Sequence, residues 1–296
     1  MKEQILAVQR MQDYIENHLD EDLSFEKLSR ISHYSPWYSR RLFLEYTGCS
    51  PAEYIRKIRL SKSALYLRDH DCKVTDVALT MGFDSVDGYQ RAFLKEFGCN
   101  PKEFSKHPVP VTLFTPFSVK ARYGERKENM EKTRSIFLSV IQKPERKIIM
   151  KRGIHATDYF EYGNEVGCDV WGLLTSIKSI SGEPVCMWLP TKYRKPNTSE
   201  YVQGVEVALD DPVDVPEGFD VITLPACEYL MFQGEPFEEE DYEIAISEIW
   251  EAEKKYQPEV LGYVWNTDEP RIQLEPIGTR GYIELLPIKK NGITNQ

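Results

Sequence analysis

The segment Phe43-Leu44-Glu45-Tyr46-Thr47-Gly48-Cys49-Ser50-Pro51-Ala52-Glu53-Tyr54 returns fifty residues later as Phe93-Leu94-Lys95-Glu96-Phe97-Gly98-Cys99-Asn100-Pro101-Lys102-Glu103-Phe104. Arg41 and Arg91 keep the same spacing. A repeat of this period means one supersecondary unit used twice. Gly48 and Gly98 are stop signals at the left-handed position after a helix, and Pro51 is the start signal of the next one.

Outward from the first copy, Ser24 can cap a short helix whose inner face is Phe25, Leu28 and Ile31. A turn at Ser32-His33-Tyr34 follows, and Ser35-Pro36 opens a helix that runs to Tyr46. Helix, short turn, helix is the shape that lays its second member in a DNA major groove. That second helix sorts its residues by face. Leu42, Phe43 and Tyr46 point to a core, while Pro36, Trp37, Arg40, Arg41 and Leu44 cluster opposite. Arginine suits guanine edges and phosphates, and tryptophan packs on thymine methyls and sugars.

The second unit opens near Val74, with Thr75, Val77, Ala78 and Met81 in its first helix, a turn at Gly82 and a cap at Ser85. The fifty-residue shift puts Val86, Asp87, Gln90, Arg91 and Leu94 on its groove side. Asp87 is a poor phosphate neighbour, and Gly88 weakens the helix by about 1 kcal/mol relative to Ala. The first unit is therefore expected to read bases and the second to contact chiefly backbone. Between them a helix from Ala52 to about Arg68 spans about 26 Å. It suits two units set one DNA turn, about 34 Å, apart. An opening helix from Lys2 to about Leu19 is apolar on one face except for Gln12.

Residues 5–107 resemble the DNA-binding domain of the AraC/XylS regulators. The resemblance is carried by Asp76-Val77-Ala78, Gly82-Phe83-Asp84-Ser85, Arg91-Ala92-Phe93 and Gly98-Cys99-Asn100-Pro101. It implies an all-α, homeodomain-like double helix-turn-helix domain of seven helices over 1–107. It also implies DNA-facing positions at Trp37, Arg40 and Arg41, and at Val86, Asp87, Gln90 and Arg91. Two departures stand out. His33 occupies a turn position where the family has Gly, which strains a positive-φ residue. Ser39 replaces a large apolar core residue.

The chain of 296 residues is long enough for two domains, and its net charge of −10 is unevenly spread. Residues 1–108 carry 16 Lys and Arg against 16 Asp and Glu, whereas 109–296 carry 21 against 31. The acidic back disfavours nucleic acid there and suits a cationic ligand. Cys49, Cys72, Cys99, Cys168, Cys186 and Cys227 are scattered without a CxxC or a partnering His cluster. They read as free thiols in a cytoplasmic protein, with no metal site and no cofactor. No apolar run reaches the about 18 residues that would span a bilayer. Residues 108–134 read as a linker, with Pro108, Pro110 and Pro116 followed by the mixed-charge run 125–134.

A weaker repeat organises the back. Pro144 precedes Gly153 by nine residues, and Pro225 precedes Gly234 by nine, with strand-like Ile148-Ile149-Met150 and Tyr229-Leu230-Met231 between. Helical stretches follow at about 157–179 and 239–255, and then strands near 184–190 and 202–209, and near 260–265 and 281–288. The reading is a duplicated strand-helix-strand-strand α+β domain over 135–290. With Leu224-Pro225-Ala226, the Gly234 turn and Gly281-Tyr282-Ile283-Glu284-Leu285-Leu286-Pro287, it resembles the GyrI-like effector-binding domain of multidrug-responsive regulators.

That resemblance implies a glutamate on the last strand, Glu284, in an aromatic cavity that meets lipophilic cations. The aromatic candidates are Tyr282, Trp171, Trp188, Tyr229 and Trp265. An unpaired inward carboxylate is costly, and a cationic ligand removes the cost. The expected function is a DNA-binding transcription regulator with a small-molecule effector, its output a shifted reader placement or polymerase contact. Its partners are double-stranded DNA and the effector, with no membrane, as monomer or dimer. The alternatives are a GyrI-like hydrolase fused to a DNA-binding domain, using Glu284 beside a tyrosine, and an architectural DNA binder whose back domain docks a protein. No Ser-His-Asp, metal or phosphate-loop pattern supports catalysis.

Overall fold

Side-chain caps set the helical register of the front half. Ser24, Ser35, Ser50 and Ser85 each accept a hydrogen bond from the backbone N–H three residues on, and Asn100 from that of Lys102. The helices so defined are α1 (Lys2–Asn17), α2 (Phe25–Ser32), α3 (Pro36–Thr47), α4 (Pro51–Asp69), α5 (Val74–Thr80), α6 (Val86–Phe97) and α7 (Pro101–Lys106). Gly48 and Gly98 end α3 and α6 at φ +77° and +73°, their N–H groups closing on Leu44 and Leu94. The computed structural model describes residues 2–21, 23–124, 135–167 and 169–291. The chain divides into two compact units, Met1–Arg126 and Lys127–Gln296.

In the helical unit α4 serves two cores. Its first half gives Tyr54, Ile55 and Ile58 to a cluster with Val8, Met11, Leu28, Leu42 and Phe43. Its second half gives Leu60, Ala64 and Leu67 to a cluster with Val77, Ala78, Tyr89, Phe93 and Phe104. Arg59, between the halves, ties them together. It donates to the carbonyls of Leu19 and Glu21 on one side and of Gly82 on the other.

The segment from Pro108 to Gly124, read from sequence as the front of the linker, packs on the helical unit. Val111 and Leu113 fill the second core, and Phe114 and Val119 pack on the first. An added helix α8 (Val119–Tyr123) ends the strap. Gln12 explains its own place in an apolar face. Its amide donates to Tyr54 Oη and the Phe117 carbonyl, both at 2.9 Å, and its Oε1 accepts from the Val119 N–H at 3.0 Å. The mixed-charge run 125–134 lies outside the described residues.

His33 takes φ +62°, the left-handed region anticipated, and its N–H reaches the Arg30 carbonyl. Ser39 is buried and bonds the equally buried Ser32 at 2.6 Å. Ser32 Oγ in turn accepts from the Tyr34 N–H. A pair of hydroxyls thus replaces the apolar plug and pins the turn through polar contacts.

The second unit is a nine-stranded antiparallel sheet. Its strands are β1 (Ile136–Lys143), β2 (Arg146–Arg152), β3 (Val185–Trp188), β4 (Tyr201–Val207), β5 (Asp220–Leu224), β6 (Cys227–Gly234), β7 (Tyr263–Trp265), β8 (Arg271–Gln273) and β9 (Ile283–Lys290). They order as β1-β6-β9-β8-β3-β4-β2-β5, with β7 beside β9. The order reads as two four-stranded halves meeting at β8 and β3. Ile141 pairs with Tyr229, and Ile222 with Ile148, each 81 residues from its counterpart. Each half therefore lends its leading strand to the other. Helices α9 (Tyr159–Val166), α10 (Asp169–Ser176) and α11 (Tyr242–Lys255) complete the unit.

Three expectations are corrected here. The stretch 157–179 forms two helices because Gly167 turns to φ +93°. The leading strands β1 and β5 are additional. The strand expected near 260–265 is the short β7 beside β9, off the main path, and β8 takes the place next to β3.

Candidate nucleic-acid interface and effector pocket

The groove-side residues of α3 emerge together at the surface of the helical unit. Trp37 is 73% exposed and Leu44 half-exposed, and Arg40 and Arg41 are exposed beside them. The opposite face of α3 is spent on Ser39, Leu42 and Phe43. Arg41 lies 5.5 Å from the Trp37 ring and 5.0 Å from that of Tyr38, contacts that hold its guanidinium outward. On α6, Asp87 and Arg91 are exposed and Val86 and Gln90 half-buried. Arg91 Nε donates to the Asp87 carbonyl at 3.3 Å, and Leu94 is half-exposed. Ser85 Oγ caps Gly88, where any Cβ would meet that oxygen at 2.9 Å. The weak helix residue thus leaves room for the cap.

In the sheet unit Glu284 is fully buried on β9, on the face covered by α11. It is not the unpaired carboxylate expected from sequence. Glu284 Oε1 accepts from Tyr282 Oη at 3.0 Å and from Trp250 Nε1 at 3.2 Å, and Oε2 is bound by Arg271 Nη2. Arg271 Nη2 also lies 3.2 Å from Glu253 Oε2. The Arg271 guanidinium sits 4.7 Å from the Trp188 ring and 5.3 Å from that of Trp250. Trp188 is itself held by donating to the Thr157 carbonyl. Glu253 Oε1 and Arg271 Nε are buried without a hydrogen-bond partner among the described residues.

The electrostatics follow from two carboxyls sharing one guanidinium. Burial, and then the neighbouring Glu284, push the Glu253 carboxyl well above the ordinary range, against the pull of Arg271. Burial lowers the Arg271 guanidinium, but Glu284 and Glu253 outweigh it and hold the charge in place. Burial and Glu284 raise the Tyr282 phenol, so it stays a donor. Outside this cluster lies an open cleft of about 500 Å³, lined by Trp188, Glu200, Glu253, Trp265, Glu269 and Arg271 among others.

Of the predicted pocket residues, Glu284, Tyr282 and Trp188 come together, and Trp265 lines the adjoining cleft. Trp171 packs instead with Tyr162 and Tyr201 under the first half. Tyr229 belongs to the other face of the sheet. Its hydroxyl accepts from the buried Arg146, which pairs with Glu206. Trp250, Glu253 and Arg271 were missed. Trp250 and Glu253 sit one helical turn apart on α11, a spacing that signals a shared face but not what it meets. The cysteines described are all free, Cys168 lying outside the described residues. Among the described residues no group of His, Cys, Asp and Glu could hold a metal, and no helix is long and apolar enough to cross a membrane.

Two helix-turn-helix units strung on one long helix, each with an exposed second helix, define the class of paired helix-turn-helix domains. A helix-turn-helix domain family matches residues 28–107. The chain is similar to the right origin-binding protein of Escherichia coli K12, 39% identical over 95 residues, 32% of this chain and 33% of that protein. It is similar to the regulatory protein SoxS of Salmonella typhimurium, 32% identical over 97 residues, 33% of this chain and 91% of that protein. The C-terminal domain of AraT, a response regulator from Geobacillus stearothermophilus, aligns at 28% identity over 34% of this chain and 84% of that one, with a TM-score of 0.33. The chain spans about a third of the length of the right origin-binding protein. It belongs to the AraC-type helix-turn-helix family of transcriptional regulators.

Proposed function

We propose that this protein is a sequence-specific transcriptional regulator that grips duplex DNA with α3 and α6 and senses a lipophilic cation in its sheet unit. The observation that carries the DNA reading is the exposed cluster Trp37, Arg40 and Arg41 on a helix whose other face is fully buried. Arginines beside an aromatic on a second helix suit base edges and phosphates in the major groove. Asp87 on α6 adds a negative charge, so the second unit positions and the first reads. The strap and Arg59 fix the two units within one domain, and the protein reads an extended site as one piece.

The sheet unit is proposed as a GyrI-like effector domain. Its support is the Glu284 cluster, in which a cation is already held against two indole rings and two carboxyls. A lipophilic cation has the same chemistry as that guanidinium. Cation binding would shift the equilibrium between regulator states only through unequal affinity for them. The test is selection of duplexes from a random library by the full chain, with and without aromatic cations. A single enriched motif whose retention changes with cation supports the reading, and retention unrelated to sequence removes it. In parallel, Glu284→Gln is expected to abolish cation binding followed by tryptophan fluorescence, and unchanged affinity removes the effector assignment.

A further inference from the structure

The geometry points to Arg271 as a resident cation that occupies the effector site of this chain and must leave for an effector to enter. The inference rests on the reading of Glu284 as the cation-binding carboxylate and adds the competitor that sets its threshold. The contacts that would recognise an aromatic cation at Glu284, its Oε2 and the two flanking indoles, are already made to Arg271. One nitrogen meets Glu284 and Glu253, and the guanidinium carbon lies within cation–π range of Trp188 and Trp250. A second cation entering beside it finds Glu284 Oε2 and the two indole faces already taken. The 81-residue repeat places Gln203 where the other half has Glu284, with Tyr201 matching Tyr282, so the first half has no equivalent carboxylate.

The residue is also placed to move. Arg271 lies at the start of a three-residue strand, and its side chain is 31% exposed to the cleft, whereas Glu284 is fully enclosed. Its Nε is buried without a partner, and so is Glu253 Oε1. The cluster therefore holds the arginine through one nitrogen and leaves two polar atoms unsatisfied. The cleft also carries Glu200 and Glu269, so a displaced guanidinium stays against carboxylates. An effector that inserts between the two indoles exchanges one cation for another, and the buried charge stays balanced. Affinity is then reduced by the fraction of molecules in which Arg271 has vacated the site.

Ethidium is the probe, titrated into the full chain without DNA and followed by calorimetry. Arg271→Met is expected to bind at least about tenfold more tightly than wild type. Arg271→Lys, which keeps the charge, is expected to stay near wild type, and Arg271→Met/Glu284→Gln to lose binding. Arg271→Met/Glu253→Gln, which leaves Glu284 as the one carboxyl of the cluster, carries the same comparison if the single variant folds poorly. In wild type, ethidium is expected to speed modification of Arg271 by phenylglyoxal, read by mass spectrometry. Equal or weaker ethidium binding by Arg271→Met, or protection of Arg271 by ethidium, overturns the inference. If wild type then still binds ethidium through Glu284, the effector reading survives. If neither wild type nor the Arg271 variants bind, both fall.

Discussion

Glu253 shares one guanidinium with Glu284, and burial beside that carboxylate raises its protonation range, so the sheet unit is expected to take up a proton on folding. The sign is fixed by that direction. Stability from this group is full below the unfolded carboxyl range, near about pH 4.3, and is lost as pH rises toward the folded value. Wild type should therefore lose stability between pH 5 and 9 relative to Glu253→Gln, by up to about 1.4 kcal/mol per pH unit. Denaturant unfolding followed by tryptophan fluorescence reads this, since Trp171, Trp188, Trp250 and Trp265 all lie in that unit. Parallel pH profiles for the two proteins would contradict it. Gln12 is the corresponding residue of the helical unit. Gln12→Leu strands Tyr54 Oη, the Phe117 carbonyl and the Val119 N–H. It should cost about 1–3 kcal/mol, seen as an earlier far-UV unfolding transition of the helical unit. Glu284 came from the resemblance to the GyrI-like domain, since strand alternation alone does not say which face of β9 turns inward. Arg271 was not legible, because the sequence does not say which cation a buried carboxylate meets across three elements.

At the scale of elements, the helices of the front half were legible from their punctuation. Ser35-Pro36, Gly48, Pro51 and Gly98 each fix a boundary through a local hydrogen bond or a left-handed turn. The exchange of β1 and β5 between halves was not, because a strand carries no local signal of which distant edge it joins. The strap after α7 was legible only as an extended apolar segment: its prolines mark irregular backbone, and which core takes it is set by residues far away in the chain. The unequal faces of α3 and α6 predict unequal roles. Arg40→Ala should relax base preference more than Gln90→Ala in a competition between matched and mutated duplexes, and the reverse ranking refutes the assignment. Arg59 touches both units without belonging to either groove face. Arg59→Ala should widen the half-site spacings bound in a spacing-variant library, and an unchanged optimum would show that packing alone sets the separation.

The molecule as a whole joins a nearly neutral helical unit, with Arg40 outward on α3, to an acidic sheet unit, with Glu284 inward on β9. Under the proposed function, this division of charge favours nucleic acid on the first unit and cations on the second. The central claim is that paired helices enter successive grooves of a duplex. It is tested most directly by fluorescence anisotropy of a selected duplex against a scrambled one at 50 and 200 mM salt. The account predicts tighter binding of the selected duplex at both salts, with affinity falling at least about tenfold between them. Equal affinity for both duplexes, or binding indifferent to salt, would contradict it.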